Sequence, residues 1–521
     1  MSDTPPTPSF LQDRAVLVLG LGASGLAMVR WCARQGARVT VADTRSDPPQ
    51  RLALQQELPD VRFVQAVFDA ALLQDAAASL VVKSPGLAPA QVAALRQAAL
   101  AAGIPVTGEL GLFAQALHEL RGARGYEPQV LAVTGTNGKT TVTALTGQLV
   151  ARAGKSVAVA GNIGPTLLDT LAARLDASDL PEVWVLELSS FQLADASAGS
   201  PQAVHAAPAG FEPTAATVLN ITQDHLDWHG SMADYAAAKS QVFGQRALMV
   251  LNQDDPLVMA LHAPAAKGRP QRASIRFGAG MPQRPGDFGI EQVNGMSWLV
   301  RAQDLDPTIK VRKGQVADDL YIQRLIPAEA LRIRGRHNAV NALAALALSA
   351  AAGCTLAPLL FGLREYRGEP HRVESIGVLQ DVEYFDDSKG TNVGATVAAL
   401  NGLGAERRLV PILGGDGKGQ DFSPLAAPVA RYARAVVLIG RDAPLIRQAL
   451  HGTGVELLAA DTLPLAVALA QQQARTGDAV LLSPACASLD MFDNYEHRAR
   501  VFAEAVQALA HDQGAALEGA S

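Results

Sequence analysis

The chain has 521 residues, 49% of them apolar and 18% charged, with a formal net charge of −6. At about 150 residues per domain that length predicts three domains, the composition excludes a disordered chain, and the acidic balance argues against nucleic acid or an anionic membrane as the main partner. Three cysteines (Cys32, Cys354, Cys486) have no paired spacing, which excludes a disulfide framework or a zinc site and points to a reducing, cytoplasmic setting.

The opening residues MSDTPPTPSF hold neither a basic n-region nor an apolar h-region, so no signal peptide is expected. Residues 14–20, RAVLVLG, read as a buried strand, ASGLAMVRWCARQG as a helix ending at Gly36, and ARVTVAD as a second strand, which together make a βαβ unit. Between the first strand and the helix lies Gly20-Leu21-Gly22-Ala23-Ser24-Gly25, with Asp43 closing the next strand. This is the dinucleotide fingerprint, although any pyrophosphate-linked nucleoside, or a purely structural tight turn, fits the same pattern. KSPG (83–86) follows a further strand and offers backbone donors on the same rim. Residues 1–108 are thus expected to form a Rossmann-like domain.

A second domain is expected over 109–368. QVLAVTG runs into Gly135-Thr136-Asn137-Gly138-Lys139-Thr140-Thr141 and then a helix. Glycines let backbone N–H groups close around phosphate oxygens, the helix N-terminus adds partial positive charge, Lys139 suits the β- and γ-phosphates, and the Thr140 hydroxyl suits Mg²⁺. Position 133 is Val, so the usual GxxxxGK[ST] spacing is not met, but the strand–turn–helix context is. Strands SVAVAG, VWVLEL and AATVLNI follow. Glu187 ends one of them, where a buried carboxylate needs a cation or an ion-pair partner. NITQDHLDWHG packs two Asp and two His into a loop that could serve Mg²⁺. Lys239, on a helix, reads from spacing alone as a solvated lysine. Residues 262–330 read as hairpins and loops. No charged residue occurs from Ala339 to Leu363, long enough to span a bilayer, but Gly353, Pro358 and interspersed polar residues favour a buried helix ending near Gly353 over a membrane span.

YRGEPHRVE (366–374) reads as a linker, and residues 369–521 as a third domain with strands EYFDDSKGTN, RLVPILGG, RAVVLIG and DAVLLSPA. Asp386 and Asp387 could grip a ribose, Lys389 a phosphate or carboxylate, and GGDGKGQDF a small anion through Asp416 and Lys418. Ser483 and Ser488 lie at a strand end. Cys486 lacks an evident base and reads as a small buried residue rather than a nucleophile. All three segments are expected to be α/β with parallel sheets, the ligands sitting beyond the carboxyl ends of the strands.

In combination, GTNGKTT, GNIG (161–164), ELSSFQL, NITQDHLDWHG with Lys239, GRHNAVNALAA, HRVE, DDSKGTN, GGDGKGQDF and SPACASLD resemble the ATP-dependent Mur ligases of peptidoglycan synthesis, over nearly the whole chain, and in particular their D-glutamate-adding branch. The resemblance implies three α/β domains: Rossmann-like, P-loop ATPase-like, and a C-terminal Rossmann-like unit that closes over ATP. It implies that D-glutamate is joined to UDP-N-acetylmuramoyl-L-alanine through an acyl phosphate, by a monomer with two Mg²⁺ ions. By resemblance, residues 135–141, Asn338, Arg372 and Asp387 handle ATP. Thr140, Glu187, His225 and Lys239, the last as a carbamate, serve the metal, with Lys139, His225 and Lys239 catalytic. Ser24, Asp43, Thr44, Arg45, Ser84 and Asn162 hold the UDP substrate, and Lys389, Thr391, Lys418, Ser488 and Tyr495 hold D-glutamate. The stretches 196–213 and 262–330 exceed what the family pattern needs and are expected as surface loops; Tyr495 stands where Phe is usual, and Met491 where a polar residue is expected. A sibling amide ligase shares this chemistry. A nicotinamide-dependent dehydrogenase built on Gly20, Gly22 and Gly25 would leave GTNGKTT unexplained, and a non-enzymatic P-loop regulator would bind ATP without turnover.

Overall fold

Five consecutive buried residues, Ala15–Leu19, form the first strand (β1), a run with no polar face, as a parallel sheet covered on both sides requires. The computed structural model describes residues 9–195, 209–264, 271–305 and 320–519. β1 is joined by β2 (Arg38–Asp43), β3 (Arg62–Gln65), β4 (Leu80–Lys83) and β5 (Val106–Thr107) in an all-parallel sheet of order β3-β2-β1-β4-β5. The strand order reverses between β1 and β4, the switch point at which such sheets bind ligands. The first glycine turn leaves β1 there. A Cβ on Gly25 would lie 2.1 Å from the Gly20 carbonyl oxygen, so the helix Ala23–Arg34 packs onto the turn only with glycine at that position.

The second sheet contains β6 (Gln129–Thr134), β7 (Val157–Gly161), β8 (Val183–Glu187), β9 (Ala215–Val218), β10 (Leu248–Asn252) and β11 (Ser274–Phe277). It is also wholly parallel, ordered β11-β10-β9-β6-β8-β7, so the loop leaving β6 toward the helix Lys139–Arg152 sits mid-sheet. Within the stretch read as hairpins and loops, β12 (Phe288–Val293), β13 (Met296–Asp304) and β14 (Leu320–Pro327) pair antiparallel, while β11 joins the parallel sheet. Residues 265–270 and 306–319 of that stretch, and 196–208 of the other expected insertion, lie outside the described residues. The charge-free run becomes the helix Arg336–Ala351 and a second helix, Leu356–Glu365. Among the described residues no helix is long and apolar enough to cross a membrane.

The third sheet contains β15 (Glu374–Leu379), β16 (Val382–Asp386), β17 (Leu409–Gly414), β18 (Ala435–Ile439), β19 (Glu456–Ala459) and β20 (Ala479–Leu482), ordered β15-β16-β20-β17-β18-β19. Here the expectation of a purely parallel sheet needs correcting. β15 runs antiparallel to β16, starting at the last residue of the stretch read as a linker. Gln380 and Asp381 turn the chain with φ of +51° and +59°, the double left-handed conformation of a two-residue hairpin. That turn favours Asn-Gly, so Gln-Asp hides it in the sequence.

The apolar cores are not one per sheet. Val16, Val18 and Val82 of the first sheet, Leu112 and Phe113 of the helix Glu109–Arg124, and Ala132, Leu186 and Val218 of the second sheet belong to one contiguous buried cluster. The other face of the second sheet packs beneath the helix Arg336–Ala351. The third sheet has its own two clusters, one on each face.

Candidate active site

The β6 strand hands over to its loop at Gly135, and Gly138 adopts φ +82° to start the helix at Lys139. Lys139 Nζ curls back over the loop, donating to the carbonyls of Gly135 (3.0 Å) and Thr136 (2.9 Å). The Thr136 hydroxyl lies 3.2 Å from the Tyr235 hydroxyl and accepts from the Thr222 amide. Arg372, arriving from the third unit, donates to the Thr140 hydroxyl at 2.5 Å. Six of the residues expected to handle ATP (Asn137, Gly138, Thr141, Asn338, Arg372 and Asp387) line one cavity together with Lys389. Burial raises the Asp387 carboxyl to about 7 even though Ser483 donates to it at 2.7 Å, and burial, helped by Arg372, lowers the Lys389 ammonium to about 8.

The donor set at the end of β8 fits a divalent cation. Glu187 is 1% exposed; its Oε1 accepts from the Asn162 amide at 2.9 Å, and its Oε2 has no hydrogen-bond partner. An unpaired buried carboxylate oxygen is costly, and a hard cation is the partner that suits it. Lys239 is equally buried, donating to the Gly135 carbonyl at 2.8 Å. Burial, reinforced by Lys139, lowers its ammonium well below the ordinary lysine range. The expectation from spacing of a solvated lysine is therefore overturned, because the helix Met232–Ser240 turns this residue inward onto the loop. His225 takes φ +54° and packs against Phe191 at 4.8 Å; burial lowers its imidazole despite Asp224 beside it, favouring the neutral form that ligates metals. Across the cleft, His225 faces Lys418, with Asp224 and Gln420 also lining the gap.

The remaining residues of the third unit assemble around two turns. Lys389 Nζ lies 3.6 Å above the Tyr495 ring centroid, and the Thr391 amide donates to the Lys389 carbonyl. Asp416 bridges to Ala487, bringing the Lys418 turn beside the buried Ser488.

At the first sheet, Asp43 accepts from the Leu21 amide (2.9 Å), the Arg45 amide (3.0 Å) and the Arg45 guanidinium (2.9 and 2.8 Å). Ser84 donates to the Gly20 carbonyl, the Ser24 hydroxyl bonds to Glu109, and the Thr44 carbonyl accepts from Gln65. Burial alone would raise the Asp43 carboxyl, but its hydrogen bonds outweigh that and bring it down to about 2. A depressed carboxylate stabilises the fold above its unfolded pKa near ~3.9 and loses that contribution as pH falls toward the folded value. Asp43→Asn is therefore expected to cost about 1–2 kcal/mol at pH 7, discounted because Arg45 is half exposed. Urea titrations of both proteins should show the gap closing between pH 4 and pH 2, and a gap that is constant with pH would refute this account.

Several neighbours of the loop escape the motif reading. Asn220 takes the Asn137 amide on its Oδ1 at 2.8 Å and returns a bond to the Asn137 carbonyl at 3.1 Å. Asn341 and His337 line the cavity beside Asn338, and Asn392 meets Asn137. Each lies inside or next to a quoted motif, but a lone asparagine carries no spacing signal.

Family models match three stretches: "Mur ligase MurD-like, N-terminal domain" over 14–108, "Mur ligase middle domain" over 133–349, and "Mur ligase, glutamate ligase domain" over 371–486. The chain is 67% identical over 515 residues to a protein of Albidiferax ferrireducens named UDP-N-acetylmuramoylalanine--D-glutamate ligase, covering 98% of this chain and 99% of that one. It is 58% identical to the protein of that name from Burkholderia pseudomallei, covering 97% and 99%. Among solved structures, the UDP-N-acetylmuramate-alanine ligase of Thermotoga maritima aligns at TM-score 0.54 and 20% identity, over 95% of this chain and 99% of that one. The MurF ligase of Thermotoga maritima in complex with ADP aligns at 0.55 and 16%, over 98% and 100%. At these identities the structures attest to a shared fold.

Proposed function

The chain belongs to the Mur ligase family, and from that membership we propose that it is an ATP-dependent amide ligase that joins D-glutamate to UDP-N-acetylmuramoyl-L-alanine in peptidoglycan precursor synthesis. The observation that carries the reading is convergence on one cleft. The glycine loop of the second sheet and Arg372, Asp387 and Lys389 from the third unit meet there, and Glu187, with its unpaired oxygen, acts electrostatically on Lys139 of that loop. The residue roles are those the family resemblance implies. Residues 135–141, Asn338, Arg372 and Asp387 hold ATP; Ser24, Asp43, Thr44, Arg45, Ser84 and Asn162 hold the UDP substrate; Lys389, Thr391, Lys418, Ser488 and Tyr495 hold D-glutamate. The three units, 1–108, 109–368 and 369–521, divide these tasks, and the enzyme works as a cytoplasmic monomer.

The terminal carboxylate of the UDP substrate attacks the γ-phosphorus of ATP. A carboxylate-oxygen to phosphorus bond forms, the bridging β–γ bond breaks, and ADP leaves. The neutral amine of D-glutamate then attacks the acyl carbon, forming the N–C bond, and phosphate departs from the tetrahedral adduct as the nitrogen releases a proton. A free carboxylate would have to expel oxide, and phosphorylation removes that obstacle. Lys139 neutralises charge on the transferring phosphoryl group, and Arg372 adds a second cation from the opposite wall. Thr140, Glu187, His225 and carbamylated Lys239 would hold two Mg²⁺ ions, which supply charge neutralisation between the two anionic reactants. Lys389, Lys418 and Ser488 orient the incoming amino acid through its carboxylates.

The test is phosphate release from ATP, Mg²⁺ and UDP-N-acetylmuramoyl-L-alanine across a panel of amino acids. D-glutamate alone should drive turnover. Equal turnover with another amino acid would assign the chain to a sibling activity, and ATP binding without turnover on any of them would make it a regulator.

A further inference from the structure

The first two sheets share an apolar core, but the third unit meets the phosphate loop through polar side chains. Asn137 Nδ2 donates to Asn392 Oδ1 at 3.2 Å, and Asn392 Nδ2 donates to Asn137 Oδ1 at 3.1 Å. Asn392 Nδ2 also reaches Asp224 Oδ2 at 3.4 Å, and its Oδ1 accepts from the Ala395 amide at 2.9 Å, capping the helix Val393–Gly404. This orientation is fixed by chemistry, since the Ala395 N–H can only donate and the Asp224 carboxylate can only accept. On the far side, Asn137 is held by Asn220 in both directions. The approach is close: a Cβ on Gly394 would lie 2.8 Å from the Thr222 hydroxyl and 3.2 Å from Asn137 Nδ2. Val393 N–H donates to Gln420, tying the third glycine turn to the same point.

We propose that Asn392 is a positioning residue whose side-chain amide clasps the third unit onto the phosphate loop, so that docking of that unit and the shape of the loop are set together. This rests on the reading that residues 135–141 grip ATP. Asn392 touches no reacting atom. It acts through Asn137 and Asp224, and its two partners lie on different loops of the second unit. The clasp is complete only when the third unit is seated, which is also when Arg372 and Lys389 face the cavity. Carbonyl oxygen meets amide on both sides of the pair, so its polarity cannot be altered at one partner alone without leaving an acceptor facing an acceptor.

Asn392→Asp tests this in the full-length enzyme. The aspartate keeps the helix cap and can still accept from Asn137 Nδ2. It removes the donor to Asn137 Oδ1 and sets two carboxylates against each other at position 224. We expect kcat to fall by about 10- to 100-fold, with KM for the UDP substrate unchanged, because that substrate is held at the first sheet. The nucleotide-bound variant should have a larger radius of gyration by small-angle scattering. Asp224→Asn combined with Asn392→Asp restores a donor opposite an acceptor at the second contact but leaves Asn137 Oδ1 without its donor, so the radius should return only part of the way toward the compact value. Asn392→Ser keeps the cap but is too short for the clasp, and should repeat the loss if the aspartate variant folds poorly. Wild-type kcat and radius in these single variants would overturn the proposal, as would a double variant whose radius is no smaller than that of Asn392→Asp. A wild-type enzyme without D-glutamate-dependent phosphate release would sink the functional reading instead, and the scattering comparison would still decide the clasp.

Discussion

Lys139→Ala is expected to abolish ADP formation, lowering its rate by at least about 10²- to 10³-fold, the scale seen when one preorganised charge-stabilising group is removed. The ammonium sits over the loop, 3.0 and 2.9 Å from the carbonyls of Gly135 and Thr136. It is the cation that the helix Lys139–Arg152 delivers where the phosphate chain would lie. Alanine takes one donor from each carbonyl, but Gly135 keeps its bond from Lys239 at 2.8 Å and water can satisfy Thr136 in this half-buried position, so the fold should change little. Arginine should not rescue the variant, because a planar fork on a longer stem cannot reproduce a compact ammonium between two carbonyls. The measurement is ADP release alongside thermal melting. A near-wild-type rate of acyl phosphate formation in Lys139→Ala would show that the central loop has been misassigned.

The second large effect concerns Lys239, and here activity and stability should move in opposite directions. Lys239→Met keeps the stem and removes an amine that is 1% exposed. Activity should drop to background. Stability should hold or rise, since a buried amine with no carboxylate in contact is replaced by an apolar group of similar volume. The groups facing Lys239 are Lys139, which lowers its pKa further, and Asp224 and Glu187, which raise it; burial dominates. A lysine with a depressed folded pKa binds fewer protons folded than unfolded. The wild-type fold therefore loses stability as pH falls below the ordinary lysine value, and the methionine variant should lack that slope. The neutral amine that burial favours can add CO₂, forming an N–C bond and releasing one proton. The resulting carbamate presents oxygen to a hard cation. Bicarbonate should consequently raise wild-type activity, most strongly at lower pH where protonation competes. Degassed enzyme with undiminished activity at every pH would remove the carbamate from the account.

What was readable in the sequence follows from what a sequence encodes locally. Glycine turns after β-branched runs mark strand ends, and the three turns at 20–25, 135–138 and 414–419 all leave parallel strands at their carboxyl ends. Glu187 stood out because a carboxylate ending a buried strand needs a reason. Lys239 did not, because its burial depends on how the helix Met232–Ser240 faces the loop, which helical spacing alone left undecided. β15 carries no legible sequence signal because its hairpin uses Gln380 and Asp381 rather than the usual turn residues. The asparagines at 137, 220 and 392 are adjacent only through sheet order, with 255 positions separating the outer pair in register of contact. No window along the chain could bring them together.

The apolar cluster that joins the first two sheets bears on how the chain leaves the ribosome. Val16 and Val82 emerge early, yet their cluster also includes Leu186, Val218 and Val258. The opening hundred residues therefore reach the solvent with a greasy flank that later strands must cover, and synthesis at ~5–20 residues per second leaves that flank bare for many seconds. The last hundred and fifty residues carry clusters made from their own strands and helices, so they can fold without waiting for anything upstream. Chaperone demand during translation should accordingly concentrate on the N-terminal half of the nascent protein.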